Sequence, residues 1–152
     1  MQCVRGYNPP IRTADGDVHT VPPPPADDPR FAAAVAKHQA GELAAAEKLY
    51  RELLAADPKH APAWCNLGAL LVAAGNLADA GQCYQYALQA RPGFPDAHFN
   101  LGNLYRRIGR LPDAAAAYRA CLTGNPTHAS AAFNLALTLA AAGELSSAED
   151  LY

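Results

Sequence analysis

Three asparagines, Asn66, Asn100 and Asn134, stand 34 residues apart. A carboxamide carries an acceptor and donors, so a row of them can pair with the C=O and N–H groups of an extended peptide, whatever its side chains. The other role open to them is to cap or solvate the face that carries them. Cys65, Phe99 and Phe133 come directly before them, with Phe31 in the matching earlier place, and Asn103, Arg106 and Arg107 follow Asn100. Aromatic rings beside amides and guanidinium groups suit a partner segment with apolar and acidic side chains. The set Asn66, Asn100, Asn134, Phe99, Asn103, Arg106, Arg107 and Phe133 is therefore expected to form a peptide-binding groove.

Elements that repeat with the same period must position this set. Glycine falls at 41, 75, 109 and 143, leucine at 43, 77, 111 and 145, alanine at 46, 80, 114 and 148, and tyrosine at 50, 84, 118 and 152. Leucine also recurs at 54, 88 and 122, and proline at 58, 92 and 126. Such a period marks a solenoid, in which each unit buries its core only against its neighbours. Between Pro58 and Gly75, Trp64, Leu67, Gly68 and Leu71 follow i, i+3, i+4, i+7 spacing, one apolar face of a helix. Gly75 stops that helix, and a second runs from about Leu77 to Ala90 before Pro92. In each unit a small residue on the first helix precedes one on the second by 12: Ala34/Ala46, Gly68/Ala80, Gly102/Ala114 and Ala136/Ala148. With no bulk at the crossing, the two antiparallel helices can approach closely.

These units resemble the tetratricopeptide repeat (TPR) family. Its Trp-x2-Leu-Gly-x2-Tyr, Ala, Tyr/Phe, Ala, Pro pattern is met by Trp64, Leu67, Gly68, Ala80, Tyr84, Ala87 and Pro92. In the next unit His98 stands in the Trp place and Cys121 in the last Ala place, and the first unit is degenerate. The resemblance implies an all-α, right-handed α-solenoid of about 3.5 units, with the first helices lining a concave groove. The array of O-GlcNAc transferase-type proteins is similar, and asparagines in this place there grip substrate peptides. The chaperone-type carboxylate clamp is missing, because Phe31, Val35, Ser130 and Asn134 hold its places, so an Hsp70 or Hsp90 tail is not the expected ligand.

Composition agrees with helices and argues against other chemistries. Hydrophobic residues make up 51% of the chain and charged residues 17%, with a net charge of -2, so no basic field exists to hold nucleic acid or an anionic membrane. No apolar stretch is long enough to span a bilayer, and the expected setting is cytoplasmic. His60 and His128 sit two units apart and cannot share an ion, while the cysteines form no CxxC pair. No metal, no cofactor and no catalytic constellation is expected. Residues 1–29 carry Pro9-Pro10 and the run Pro22–Pro25, which reads as a disordered tail ending in a polyproline II spacer, irregular over 1–28.

Residues 30–152 should form the TPR domain, with units near 27–60, 61–94, 95–128 and an incomplete 129–152. Helix pairs are expected near 34–44 and 50–56, 61–74 and 77–90, 95–108 and 111–124, and 129–142 and 145–152. Leu145, Ala148 and Tyr152 would then be open to end-to-end self-association. The function expected is a protein–protein interaction module. The alternative is the substrate-recognition region of a larger transferase, either O-GlcNAc transferase-like or a TPR-linked sulfotransferase.

Overall fold

A computed structural model describes residues 28–143, together with the backbone of two short strands before them. Seven helices follow in order: α1 Pro29–Gln39, α2 Leu43–Ala56, α3 Ala61–Ala73, α4 Leu77–Ala90, α5 Pro95–Arg107, α6 Leu111–Gly124 and α7 Ala129–Ala141. Each packs on the next, most extensively within the pairs α1/α2, α3/α4 and α5/α6. The result is the all-α helical solenoid that the period implied. No helix among the described residues is long and apolar enough to cross a membrane.

Three departures from the sequence expectations stand out. The first pair lies at 29–39 and 43–56, not at 34–44 and 50–56. Pro29 is at the start of α1, where its missing N–H costs nothing, and the Asp28 carboxylate accepts from the Arg30 N–H at 2.9 Å. Second, Ile11–Arg12 (β1) and Val18–His19 (β2) pair antiparallel within the stretch expected to be irregular. No proline lies between 11 and 19, and the sequence there contains Asp15-Gly16, a pair favoured in hairpin turns. Third, the last helix expected, at 145–152, lies outside the described residues, as does the self-association surface assigned to it; so does the proline run.

All four period glycines have positive φ, from 76° to 82°. At Gly75 the chain closes α3 with two bonds, Gly75 N–H to Val72 O at 3.0 Å and Asn76 N–H to Leu71 O at 2.8 Å. Only a residue tolerant of left-handed backbone fits between them. The same pair of bonds closes α1 and α5.

In the second and third units the close approach expected from the small residues takes a definite form. A Cβ on Gly68 would come within 2.6 Å of Tyr84 Cε1, and one on Gly102 within 2.7 Å of Tyr118 Cε1. The tyrosine rings lie on the glycine backbone of their own units, and Tyr50, Tyr84 and Tyr118 are all fully buried. Trp64 secures the other end of α3 by donating from Nε1 to Pro58 O at 2.8 Å. His98 makes the same link in the next unit, Nε2 to Pro92 O at 2.8 Å, which explains an imidazole in the Trp place.

Replacing Gly68 by Ala therefore drives a methyl into an enclosed ring. Urea unfolding should show a loss of about 1–3 kcal/mol. An unchanged midpoint would contradict the close approach.

Candidate functional site

The first helices of successive units touch, α1 on α3 and α3 on α5, whereas the second helices make no comparable contact with one another. The stack therefore curves with α1, α3, α5 and α7 on its inner face. The unit junctions are built from stacked rings. His60 Nδ1 accepts from the Ala63 N–H at 3.1 Å, capping α3, while its ring lies 4.7 Å from that of Phe31. His128 repeats the arrangement, capping α7 through Ala131 at 3.1 Å with its ring 4.6 Å from Phe99. Both histidines thus have structural work, and among the described residues no three His, Cys, Asp or Glu groups converge as metal ligands.

The asparagines do not form a row of open amides. Asn66 is fully buried, and its Nδ2 donates to Tyr50 Oη at 3.2 Å. Asn100 is equally buried, with Nδ2 on Cys65 Sγ at 3.4 Å. Asn103, also buried, accepts at Oδ1 from Tyr118 Oη at 2.7 Å and from Asn134 Nδ2 at 2.9 Å. Asn134 alone of the three is part-exposed. The expected exposure of Asn66 and Asn100 is corrected by this packing: the first helices lie so close that residues between them are covered. Phe99 is buried for the same reason, wedged against Tyr118 and His128.

What remains open lies toward α7. Phe133 is 53% exposed and Leu137, one turn later, 43%. Asn134 lies between them in sequence, bonded to Asn103 on α5, whose last turn holds half-buried Arg106 and exposed Arg107. Leu137 was not among the residues expected from the sequence. Its signal was an apolar residue four places after Phe133, where the preceding unit has the polar Asn103. Arg110 is engaged elsewhere, bonded to Asp113 at 2.8 Å and stacked over Tyr105.

The tyrosine hydroxyls are served unequally. Tyr50 Oη lies 3.3 Å from His38 Nδ1 as well as on Asn66, and Tyr118 has Asn103. Tyr84 Oη is enclosed without a partner. The places that hold His38 and Asn103 in the other units are Val72 and Ala69 in this one. Burial also pushes the thiols up, Cys83 to about 11 and Cys121 to about 12, with Cys65 raised further still. These are neutral, unreactive core thiols.

Such an architecture is a solenoid of helix–turn–helix repeats with an inner face assembled from the first helix of each. The sequence profile of the tetratricopeptide repeat family matches residues 31–95, 65–129 and 99–152, and the chain belongs to that family. Among curated proteins none matches significantly. Solved structures share the fold. MamA matches with a TM-score of 0.71 at 24% identity, over 78% of this chain and 70% of its own. The first TPR domain of Spaghetti, bound to an HSP90 peptide, matches at 0.72 and 18% identity, over 75% and 90%. A mutant O-GlcNAc transferase of Thermobaculum terrenum matches at 0.68 and 24%, over 72% of this chain but only 21% of the transferase.

Two outcomes follow. Tyr84→Phe removes a hydroxyl that has no partner and should leave stability unchanged or higher, whereas Tyr118→Phe should cost about 0.5–1.5 kcal/mol in urea unfolding. Equal losses would refute the unequal pairing. The thiols set an alkaline limit. Their folded pKa values lie above the ordinary value of 9.0, so between about 9 and 12 the unfolded chain holds fewer protons than the folded one. Stability should fall as pH rises through that window, and replacing Cys83 and Cys121 by Ala should lessen the fall, the rest coming from the buried Cys65, Tyr50 and Tyr84.

Proposed function

We propose that the inner face at α5–α7 binds an extended segment of a partner protein. The observation that carries this reading is the pair Phe133 and Leu137, two large apolar side chains exposed on one face of α7. Apolar side chains exposed side by side on a curved surface favour a ligand that covers them. Arg107 on the neighbouring helix adds positive charge, so the segment that fits carries an aromatic or aliphatic side chain with an acidic residue near it. Asn134 is the one amide of the row still part-exposed and able to meet a peptide backbone. Asn103, which accepts from its Nδ2 at 2.9 Å, holds it in place. That another TPR domain of this fold holds a peptide is consistent with the reading.

The second reading, a substrate-recognition region of a larger transferase, uses the same groove and is favoured by the likeness to a short part of an O-GlcNAc transferase. The two differ in whether the full gene product transfers a sugar from a nucleotide donor to the bound segment.

Peptides selected from a displayed library on the immobilised chain should be enriched in apolar and acidic residues. Titration of a selected peptide against Phe133→Ala should show at least about a tenfold loss of affinity, the range of a central interface residue. Because Phe133 is exposed, thermal unfolding should not change. Unaltered affinity in this variant and in Leu137→Ala would remove the site from α7.

A further inference from the structure

A second groove lies on the outer side, between α2 and α4, with α3 as its floor. Its volume is about 410 Å3, within the range of ligand clefts. Leu54, Leu67 and Leu71 line its base, and Trp64 and Tyr86 form an aromatic wall. The two rings are 4.8 Å apart and tilted by 44°, and Tyr86 is 42% exposed. Asp79 lies on the same face of α4, about two turns before Tyr86. Wall and carboxylate do not recur together. One unit on, the places of Trp64 and Tyr86 hold His98 and Ala120, and one unit earlier Arg30 and Glu52. Asp113, in the place of Asp79 one unit on, is ion-paired with Arg110 at 2.8 Å. The place of Arg110 is Asn76 here, which donates from Nδ2 to Asp79 at 2.6 Å and brings no charge. Arg51, on the α2 margin, is ion-paired with Glu47 of its own helix. Among the described residues that line the groove, Asp79 is thus the one charge left uncompensated.

We propose that this outer groove docks a segment of a partner protein that carries a basic side chain close to an apolar one. The apolar side chain covers Trp64 and Tyr86, where burial supplies the affinity. The basic side chain lies at Asp79, and the uncompensated carboxylate selects its sign. Lysine and arginine suit the place because their stems pack on apolar surface while the charged head stays in water. Arg51, Asp79, Gln82 and Tyr86 are exposed along the rims, so an occupant keeps one side in solvent. A peptide segment does so, whereas a small ligand is enclosed on most of its surface. Asp79 and Tyr86 stand about 10 Å apart along α4 at 1.5 Å per residue. That falls between the roughly 7 Å and 13 Å separating residues two and four apart on one side of an extended segment. The inner face at α7 calls for an acidic segment and this groove for a basic one, so the two surfaces take different ligands.

Trp64 is the single tryptophan of the chain, so its fluorescence reports on this groove alone. Peptides from a tryptophan-free displayed library are selected on the full chain carrying Phe133→Ala, which removes the inner-face anchor. Binders that also hold the Phe133→Ala, Tyr86→Ala double variant are discarded. The remaining peptides should be enriched in Lys and Arg two or four residues from an apolar side chain. A synthetic copy of one should protect Trp64 from acrylamide saturably. Tyr86→Ala should weaken it at least about tenfold, as loss of a central aromatic does. Asp79→Asn should weaken it about two- to fivefold, as an exposed ion pair gives, and should lower its salt dependence. Circular dichroism should show both variants folded. A selection that leaves no peptide, or leaves acidic ones, overturns the proposal, as does affinity unchanged in Asp79→Asn. Trp64 protection that falls when the chain alone is diluted also overturns it, because a second copy would then be the occupant.

Discussion

The tyrosine ring laid on a glycine backbone governs the rest of this structure. Tyr84 on Gly68 and Tyr118 on Gly102 leave no room for a methyl group in the second and third pairs, while the first pair holds Ala34 in the same place. That contact sets how near the helices come, and it carries a phenol hydroxyl into a region closed to water. A buried hydroxyl without a partner costs on the order of 1–3 kcal/mol, so the neighbouring side chains are constrained as well. His38 and Asn66 answer Tyr50, and Asn103 answers Tyr118. The polar residues of the inner helices are thus partly a consequence of the ring packing, before they serve any ligand.

This is why the fold was legible in the sequence and the site only partly so. The period locates a residue along the chain and around a helix, and α3 to α7 lie within a residue of their expected bounds. It does not report depth. Asn66, Asn100 and Asn134 occupy the same place in three units, yet the first two are covered and the third is half-open. Asn66 and Asn100 are each followed by a further first helix, α5 and α7, whereas none after α7 lies among the described residues. The first pair was misplaced for a different reason: Pro29 looked like the end of a proline-rich tail when it is the first residue of a helix, although Gly41 already marked where that helix had to stop.

Units that share one frame also differ in ways the frame tolerates. A tryptophan and a histidine bond the same proline carbonyl, and the unit-end place holds His60, Phe94 and His128 in turn. Phe94 caps α5 without a side-chain bond, where both histidines supply one. Tyr84, lacking a partner, shows that a single unit can forgo a hydrogen bond while the contact beneath it persists. Stability in such a stack is a sum of unit and junction contributions, so one weak link is diluted by its neighbours.

The junctions also bear on what a ligand of the inner face should look like. Phe31, Phe99 and Phe133 hold one place, and the first two are covered by an imidazole whose centroid stands 4.7 and 4.6 Å away. Phe133 is open. Its backbone setting at the start of a first helix is the same, and the group that covers the other two rings comes in each case from the unit that follows. A flat group placed over Phe133 at the same separation, with an acceptor toward Arg107 and an aliphatic side chain on Leu137, would reproduce outside the chain the contact the chain already makes twice within itself.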